Sequence, residues 1–234
     1  MNRGGTGMIG SLFAILVSIL LPLTVFVYSC LKKNYTVFLI GAMTFVASQM
    51  VLRLPLLSLL EKYSTNYLFF SATKPILYAV FLGITAALFE EMARYVAILY
   101  LLKSKTWGKG VLFGLGHGGI EAIIFVGLPV LSALISMPEL INNGHMFISG
   151  VERLFAIFIH IGFSVMVMQG VVKQKFRFVV IAFIIHTIID ASIGIIPQFT
   201  PVPHSLFVTE GLIFVAGIAL LIYCLVVRRK GILK

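Results

Sequence analysis

The sequence predicts an all-α protein, a polytopic bundle of about seven transmembrane helices. Apolar residues make up 60% of the 234 residues and charged residues only 11%. Soluble domains carry about 45–50% apolar and about 25% charged residues. No long polar stretch is present that could fold as a separate water-soluble unit, so residues 1–234 are expected to form one integral membrane domain.

Seven apolar segments are long enough to cross a hydrocarbon core, which takes about 20 helical residues. They cover residues 8–31, 35–59, 75–102, 110–136, 149–172, 177–197 and 205–227. In chain order, the interruptions after them begin at Lys32, Glu61, Lys103, Pro138, Lys173 and Pro197, and the last segment ends before Arg228. The first segment is too long for the core of a signal peptide and lacks a small-residue cleavage site, so we interpret it as a helix.

Basic residues are spread unevenly among the loops, and this orients the bundle because cationic loops stay in the cytoplasm. Twelve of the 18 bases fall in alternate loops and the C-terminal tail: Lys32, Lys33, Lys103, Lys105, Lys109, Lys173, Lys175, Arg177, Arg228, Arg229, Lys230 and Lys234. Only Arg3, Lys62 and Lys74 lie on the other side. The N-terminus is therefore predicted outside and the C-terminus in the cytoplasm. The net charge of +10 reflects this topology, and no nucleic-acid partner is expected.

Eight ionisable residues lie deep in the apolar segments, where such groups cost several kcal/mol unless they are paired, hydrated or bound to a metal. They are Glu90, Glu91, Arg94, His117, Glu121, His160, His186 and Asp190. Glu91, Glu121, His160 and Asp190 each lie 12 or 13 residues from a basic loop residue, which is about 18–20 Å along a helix. Four helices are therefore expected to contribute to one polar layer.

The other charged residues of the apolar segments, and the remaining acids and histidines, are interpreted as structural. Arg53 and the Glu152–Arg153 pair lie near outer helix ends, where an arginine side chain can reach the lipid headgroups. Solvated positions in loops or at helix ends are expected for Glu61, Glu139, Glu210, His145 and His204.

Spacing within the helices predicts a metal site. His117 with Glu121, and His186 with Asp190, are i,i+4 pairs, so each histidine shares a helix face with a carboxylate. Imidazole and carboxylate groups form hydrolytic zinc sites, in which three protein ligands leave one position open. The candidate zinc ligands are His117, Glu121, His160, His186 and Asp190, with His160 either a ligand or a partner of one.

A further glutamate can act as general base on a water at such a metal. The Glu90-Glu91 pair supplies this group, with Glu90 favoured and Arg94 one turn away, so these three are the candidate catalytic residues. His117 and His186 lie slightly nearer to the basic loops than the carboxylates do, which predicts access from the cytoplasmic side.

Four glycines surround His117, in the run from Gly114 to Gly119. Glycine permits close approach of helices, and it would equally allow an extended peptide to reach the site. The sequence leaves both interpretations open.

These residues resemble the motifs of the CAAX-prenyl-protease and bacteriocin-processing superfamily of intramembrane metalloproteases. Phe113 and His117 match its FxxxH motif, and His186 and Asp190 match HxxxN/D. Glu90-Glu91 matches the start of EExxxR, with Arg94 one residue early. Within the superfamily, the segments 90–95 and 116–121 look most like the YhfC-type membrane peptidases. The resemblance spans about residues 85–195.

The resemblance implies a metal-dependent intramembrane endopeptidase in the plasma membrane of a bacterial cell. It would hydrolyse a peptide bond of a peptide or membrane-protein substrate near the cytoplasmic membrane face. One glutamate of the Glu90-Glu91 pair would activate water, while His117 and His186, helped by Asp190, would hold the metal or the water.

Three other functions remain open from the sequence. A proton- or metal-coupled transporter would also line a cavity with glutamate, histidine and aspartate. A non-catalytic membrane scaffold would keep the same fold. Finally, the polar residues would serve only to hold the helices together if they form a structural cluster.

Overall fold

The part of the chain that the structure describes is helical apart from short connections. The structure, a computed structural model, describes residues 4–137 and 143–233, and no strand occurs among them. Arg3, Glu139 and Lys234, for which loop or terminal positions were predicted, lie outside the described residues. The all-α prediction is confirmed.

Within the described residues, seven helices are long and apolar enough to cross a membrane. They are α1 (Ile9–Leu31), α2 (Tyr35–Tyr63), α3 (Pro75–Leu101), α4 (Trp107–Ser136), α5 (Gly144–Val172), α6 (Arg177–Phe199) and α7 (His204–Arg229). The predicted number of helices is confirmed, and the observed bounds differ from the predicted ones by five residues at most. For example, α4 begins before the predicted residue 110 because Thr106 caps it, with its side chain accepting from the Lys109 amide at 3.4 Å.

Residues 61 to 74, predicted as an interruption, instead contain a further short helix. This connecting helix covers Thr65–Thr73, and the Ser64 side chain caps it by accepting from the Tyr67 amide at 3.2 Å. The Tyr67 hydroxyl lies 3.1 Å from the Tyr78 hydroxyl at the start of α3. The connecting helix therefore packs on α3 at the bundle end that carries few bases.

Contacts between helix ends bring the predicted basic loops to one end of the bundle. Trp107 at the start of α4 donates from Nε1 to the Cys224 carbonyl near the end of α7, at 2.9 Å. The Arg228 guanidinium lies 4.6 Å from the centre of the Trp107 ring. Tyr95 of α3 and Phe176 before α6 have ring centres 5.3 Å apart. We call this the basic end, and the other the opposite end.

The orientation of the bundle in the membrane stays a prediction, with the basic end in the cytoplasm. Ser104 and Gln198 are exposed residues at the two ends. In a variant without Cys30 and Cys224, Ser104→Cys should react with an impermeant maleimide only in inverted vesicles, and Gln198→Cys only in intact cells. Reaction of both from one side would contradict the seven-helix topology.

Helix α5 runs through the centre of the bundle, packed against α1, α4, α6 and α7. Every residue from 159 to 171 is buried, whereas residues 151 to 156 are partly exposed. The half of α5 nearer to the basic end is therefore more completely buried than the half nearer to the opposite end.

The glycines around His117 serve helix packing, which decides between the two interpretations that the sequence left open. A Cβ on Gly116 would lie 2.1 Å from the Phe38 carbonyl oxygen, and one on Gly41 would lie 2.1 Å from the Phe113 carbonyl oxygen. Helices α2 and α4 thus touch backbone to backbone. Gly114 makes the same kind of contact with α5, since its Cβ would lie 2.5 Å from the Ile161 Cα.

Gly116→Ala should therefore destabilise the protein by about 1–3 kcal/mol, the usual cost of overpacking, because α2 and α4 must move apart. Gly211→Ala is the matched control, since a Cβ there meets nothing within 4 Å, and alanine in a helix is favoured over glycine by about 1 kcal/mol. Unfolding in detergent with increasing sodium dodecyl sulfate measures both. Equal stability of Gly116→Ala and the wild type would contradict the close contact.

Candidate metal centre

A polar cluster lies in the middle of the bundle, where α2 to α6 meet. It contains Gln49, Glu90, Glu91, Arg94, His117, Glu121, His160, His186 and Asp190. All are buried except Glu121 and Asp190, which are partly exposed. The structure thus brings all eight predicted site residues together and adds Gln49.

Glu90, His117 and His160 form the group that can share one ion. Each offers one ligand atom, and these atoms all lie within 4.8 Å of one another. His117 Nε2 is 2.9 Å and His160 Nδ1 is 3.9 Å from Glu90 Oε2. A carboxylate and two imidazoles are a donor set of catalytic zinc sites. The residues therefore fit a zinc ion by the chemistry of their donor atoms.

Glu121, a predicted ligand, instead contacts the far side of the His160 ring. Its Oε2 lies 2.6 Å from His160 Nε2, and its Oε1 accepts from Arg153 Nη1 at 2.8 Å. Arg94 donates from Nη2 to His160 Nδ1 at 3.1 Å. Because a guanidinium can only donate, His160 Nδ1 carries the lone pair and Nε2 carries the proton. Glu121 therefore holds the ring with Nδ1 facing Glu90.

His186 and Asp190, also predicted as ligands, lie beside the group of three. His186 Nδ1 is 2.8 Å from Glu91 Oε1, and its Nε2 is 3.5 Å from Asp190 Oδ2. The ring stacks on Phe163, with centres 5.0 Å apart. The two nitrogens thus each face a carboxylate, which explains why His186 does not turn toward Glu90.

Arg94 is fully buried and bridges the two glutamates of α3. It donates from Nη1 to Glu91 Oε1, and its Nη2 lies 3.8 Å from Glu90 Oε2. Its position, one residue earlier than the EExxxR motif requires, places it three and four residues after these carboxylates, on the same face of α3. A charge at this depth requires such partners.

Sequence reasoning missed Gln49 and misinterpreted Arg53. Gln49 donates from Nε2 to Glu90 Oε1 at 2.6 Å and accepts from Arg53 Nη1 at 3.0 Å. Arg53 also donates to the Leu82 carbonyl at 2.9 Å, so its side chain points into the bundle and not to the headgroups. Both residues lie in a π-helical stretch, Val46–Arg53, a feature frequent at functional sites. Their i,i+4 spacing was a usable signal, but glutamine carries no charge.

Arg153 likewise points inward, so the interpretation as a residue that reaches the headgroups is wrong. It donates to Glu121 and, from Nη2, to Glu152. Only 13% of its side chain is exposed. Arg153 lines the cavity together with Glu121 and Glu152, and these two carboxylates attract its guanidinium group.

A cavity of about 540 Å³ leads to the polar cluster from the opposite end. Its inner wall contains Glu90, Glu121, His160, His186 and Asp190. Its outer wall contains Ser71 of the connecting helix, the first turns of α3 with Pro75 and Tyr78, and Gln198 near the end of α6. The cavity therefore lies on the other side of the cluster from the one that the sequence predicted.

Comparisons with known proteins support the resemblance found in the motifs. A model of the YhfC intramembrane metalloproteases matches residues 14–146 and 145–208. The chain is 27% identical to the uncharacterized membrane protein YhfC of Bacillus subtilis (strain 168), over 93% of this chain and 94% of that protein. No solved structure matches the chain. The family match covers well over half of the sequence, and the chain belongs to the YhfC intramembrane metalloprotease family.

Proposed function

We propose that the protein is an intramembrane zinc metallopeptidase that hydrolyses a peptide bond of a peptide or membrane-protein substrate. One observation carries the proposal: Glu90, His117 and His160 place ligand atoms within 4.8 Å of one another, in a cluster that a cavity reaches inside the membrane span. The family's description as metalloproteases supports the class of reaction.

Glu90, His117 and His160 would hold the zinc, and His160 would bind it through the Nδ1 lone pair that contacts Arg94 in this structure. Three protein ligands leave a coordination position open for a water or the substrate. When bound, zinc supplies Lewis-acid activation of both the water and the carbonyl group that it attacks.

Neighbouring side chains orient these ligands. Gln49 binds Glu90 Oε1 and so leaves Oε2 directed at His117. Glu121 holds the His160 ring by its Nε2. Such partners fix the direction in which a ligand presents its lone pair.

Asp190 is our candidate for the proton acceptor, in place of Glu90. Both Glu90 oxygens already contact Gln49 and His117. Asp190 lines the cavity, and 32% of its side chain is exposed, compared with 6% for Glu90. It can take a proton from water at Oδ2. Protonated Asp190 can then return that proton to the leaving amine, while His186, with Nε2 beside Asp190 and Nδ1 beside Glu91, orients the Asp190 carboxyl group.

The purified protein should cleave members of a quenched fluorescent peptide library. Cleavage should stop when 1,10-phenanthroline removes zinc and return when zinc is added. Proteoliposomes loaded with pH- and zinc-sensitive dyes test the transporter alternative in parallel. Proton or zinc flux without cleavage would show that the protein is a transporter instead. If zinc-loaded protein shows neither cleavage nor flux, the scaffold alternative is favoured.

Gln49→Leu should weaken zinc binding by about 10–100-fold, the usual effect of removing a group that orients a ligand. The matched control is Gln169→Leu. Gln169 is a buried glutamine of α5 that accepts from the Tyr223 hydroxyl at 2.5 Å, outside the polar cluster. Competition with a chromophoric zinc chelator measures the affinities. Equal affinities of the two variants would show that Gln49 does not orient Glu90.

A further inference from the structure

The two halves of α5 on either side of His160 have different surroundings. Ala156 and Ser164 lie four residues before and after His160, on the same helix face. Ala156 lines the cavity. Ser164 is fully buried, and its hydroxyl has no hydrogen-bond partner. A single turn of helix on each side of the candidate ligand thus separates an open side from a closed one.

The closed side faces the basic end and is filled with apolar side chains. Phe163, Val165, Val167 and Met168 of α5 have no exposed surface. They belong to the main hydrophobic core, together with residues of α3, α4, α6 and α7. Protein interiors of this kind are packed as tightly as organic crystals, so a peptide cannot reach the ligands from this end without unpacking the core.

The open side faces the opposite end, where the cavity lies. A helix keeps its backbone N–H and C=O groups bonded to one another. A substrate segment must therefore unwind before one of its peptide bonds can contact the ligands.

An extended segment inside the membrane needs partners for its backbone groups, which no longer bond within a helix. The cavity wall offers them in Ser71, Tyr78, Arg53, Asp190 and Gln198. Between these lie apolar surfaces from Leu82, Ile189 and Ile193. The lining thus suits a short unwound stretch of peptide with apolar side chains.

Charge places this open side away from the cytoplasm. Of the twelve lysines and arginines in the basic loops and the C-terminal tail, all but Lys234 lie among the described residues, and they flank the basic end. Among the described residues, Lys62 and Lys74 flank the opposite end. By the positive-inside rule, the opposite end is the non-cytoplasmic one.

We propose that the site takes its substrate from the non-cytoplasmic side, as an extended segment of an exported peptide or of the outer half of a membrane protein. This inference deepens the proposed function, and it rests on that function for the claim that the molecule entering the cavity is a peptide substrate. The route itself rests only on the cavity, the packed core and the distribution of bases.

Cysteine labelling tests the route with matched variants in a background without Cys30 and Cys224. Ala156→Cys and Ser164→Cys are compared using a membrane-impermeant methanethiosulfonate, in intact cells and in inverted vesicles. Ala156→Cys should react at least tenfold faster in intact cells, and Ser164→Cys should react in neither preparation until the protein is denatured. Ser104→Cys, at the basic end, should react only in inverted vesicles.

Reaction of Ala156→Cys only in inverted vesicles, or in neither preparation, would overturn the route. So would reaction of Ser164→Cys from the cytoplasmic side at the rate of Ala156→Cys. Labelling requires neither zinc nor catalysis, so a correct labelling pattern with no peptide cleavage overturns the proposed function and leaves the route standing. With cleavage established, labelled Ala156→Cys should retain zinc and lose cleavage of peptides added outside the vesicles.

Discussion

Arg94→Met should destabilise the folded protein by about 3–5 kcal/mol, the usual cost of removing one partner of a buried ion pair. Arg94 has no exposed surface and contacts both Glu90 and Glu91. Methionine fills similar space but leaves these carboxylates as uncompensated charges inside the membrane span. Unfolding with sodium dodecyl sulfate in mixed micelles measures the loss.

The double variant Arg94→Met with Glu91→Gln separates charge from packing. Glu91 Oε2 has no hydrogen-bond partner, and neutralising this carboxyl removes the charge that Arg94 balances at closest range. The double variant should therefore be more stable than Arg94→Met alone. If Arg94→Met is as stable as the wild type, the arginine does not neutralise the cluster.

Glu90→Gln should lower peptide cleavage by more than about a hundredfold, since loss of even an outer partner of a metal ligand costs about 10–100-fold. The amide keeps the size of the side chain but removes the charge beside His117. Zinc affinity should fall with the rate, because we assign Glu90 to the metal and not to proton transfer.

Two variants act as controls for this effect. Glu210→Gln removes a half-buried carboxylate of α7 outside the polar cluster and should leave both zinc and cleavage unchanged. Asp190→Asn should keep zinc and slow cleavage by about 10²–10⁴, the usual contribution of a general base. If Glu90→Gln binds zinc as fully as the wild type but no longer cleaves peptides, Glu90 is the general base and not a zinc ligand.

The seven helices were predictable because bilayer thickness fixes the length of an apolar span. The depth of the polar layer was predictable for a related reason. Basic loops mark the membrane surface, and a helix rises by a constant amount per residue, so Glu91, Glu121 and His160 could be assigned one depth before any contact was known.

The partners within the layer were not predictable, since spacing gives a helix face but not the rotamer of a side chain. His117 and His186 look equivalent in sequence, each with a carboxylate four residues later. The fold separates them, because Phe163 and Glu91 hold the His186 ring while His117 meets Glu90. Gln49 escaped attention because a neutral amide does not stand out in an apolar helix.

The sequence also could not predict from which end of the bundle the polar cluster is reached. Depth counted along a helix gives the position of each ligand, but the cavity depends on which neighbouring side chains leave space. Around Ala156 the helices separate, and around Ser164 they close. Only the packing of several helices together determines that difference.

Metal analysis of the purified protein, wild type beside His117→Ala and His186→Ala, tests the central claim most directly. Both histidines are candidate ligands by sequence, and only His117 belongs to the group with Glu90 and His160. The wild type and His186→Ala should each contain zinc in stoichiometric amount, and His117→Ala should contain none. Zinc retained in His117→Ala, or absent from a wild type supplied with zinc, would contradict the assignment of the site.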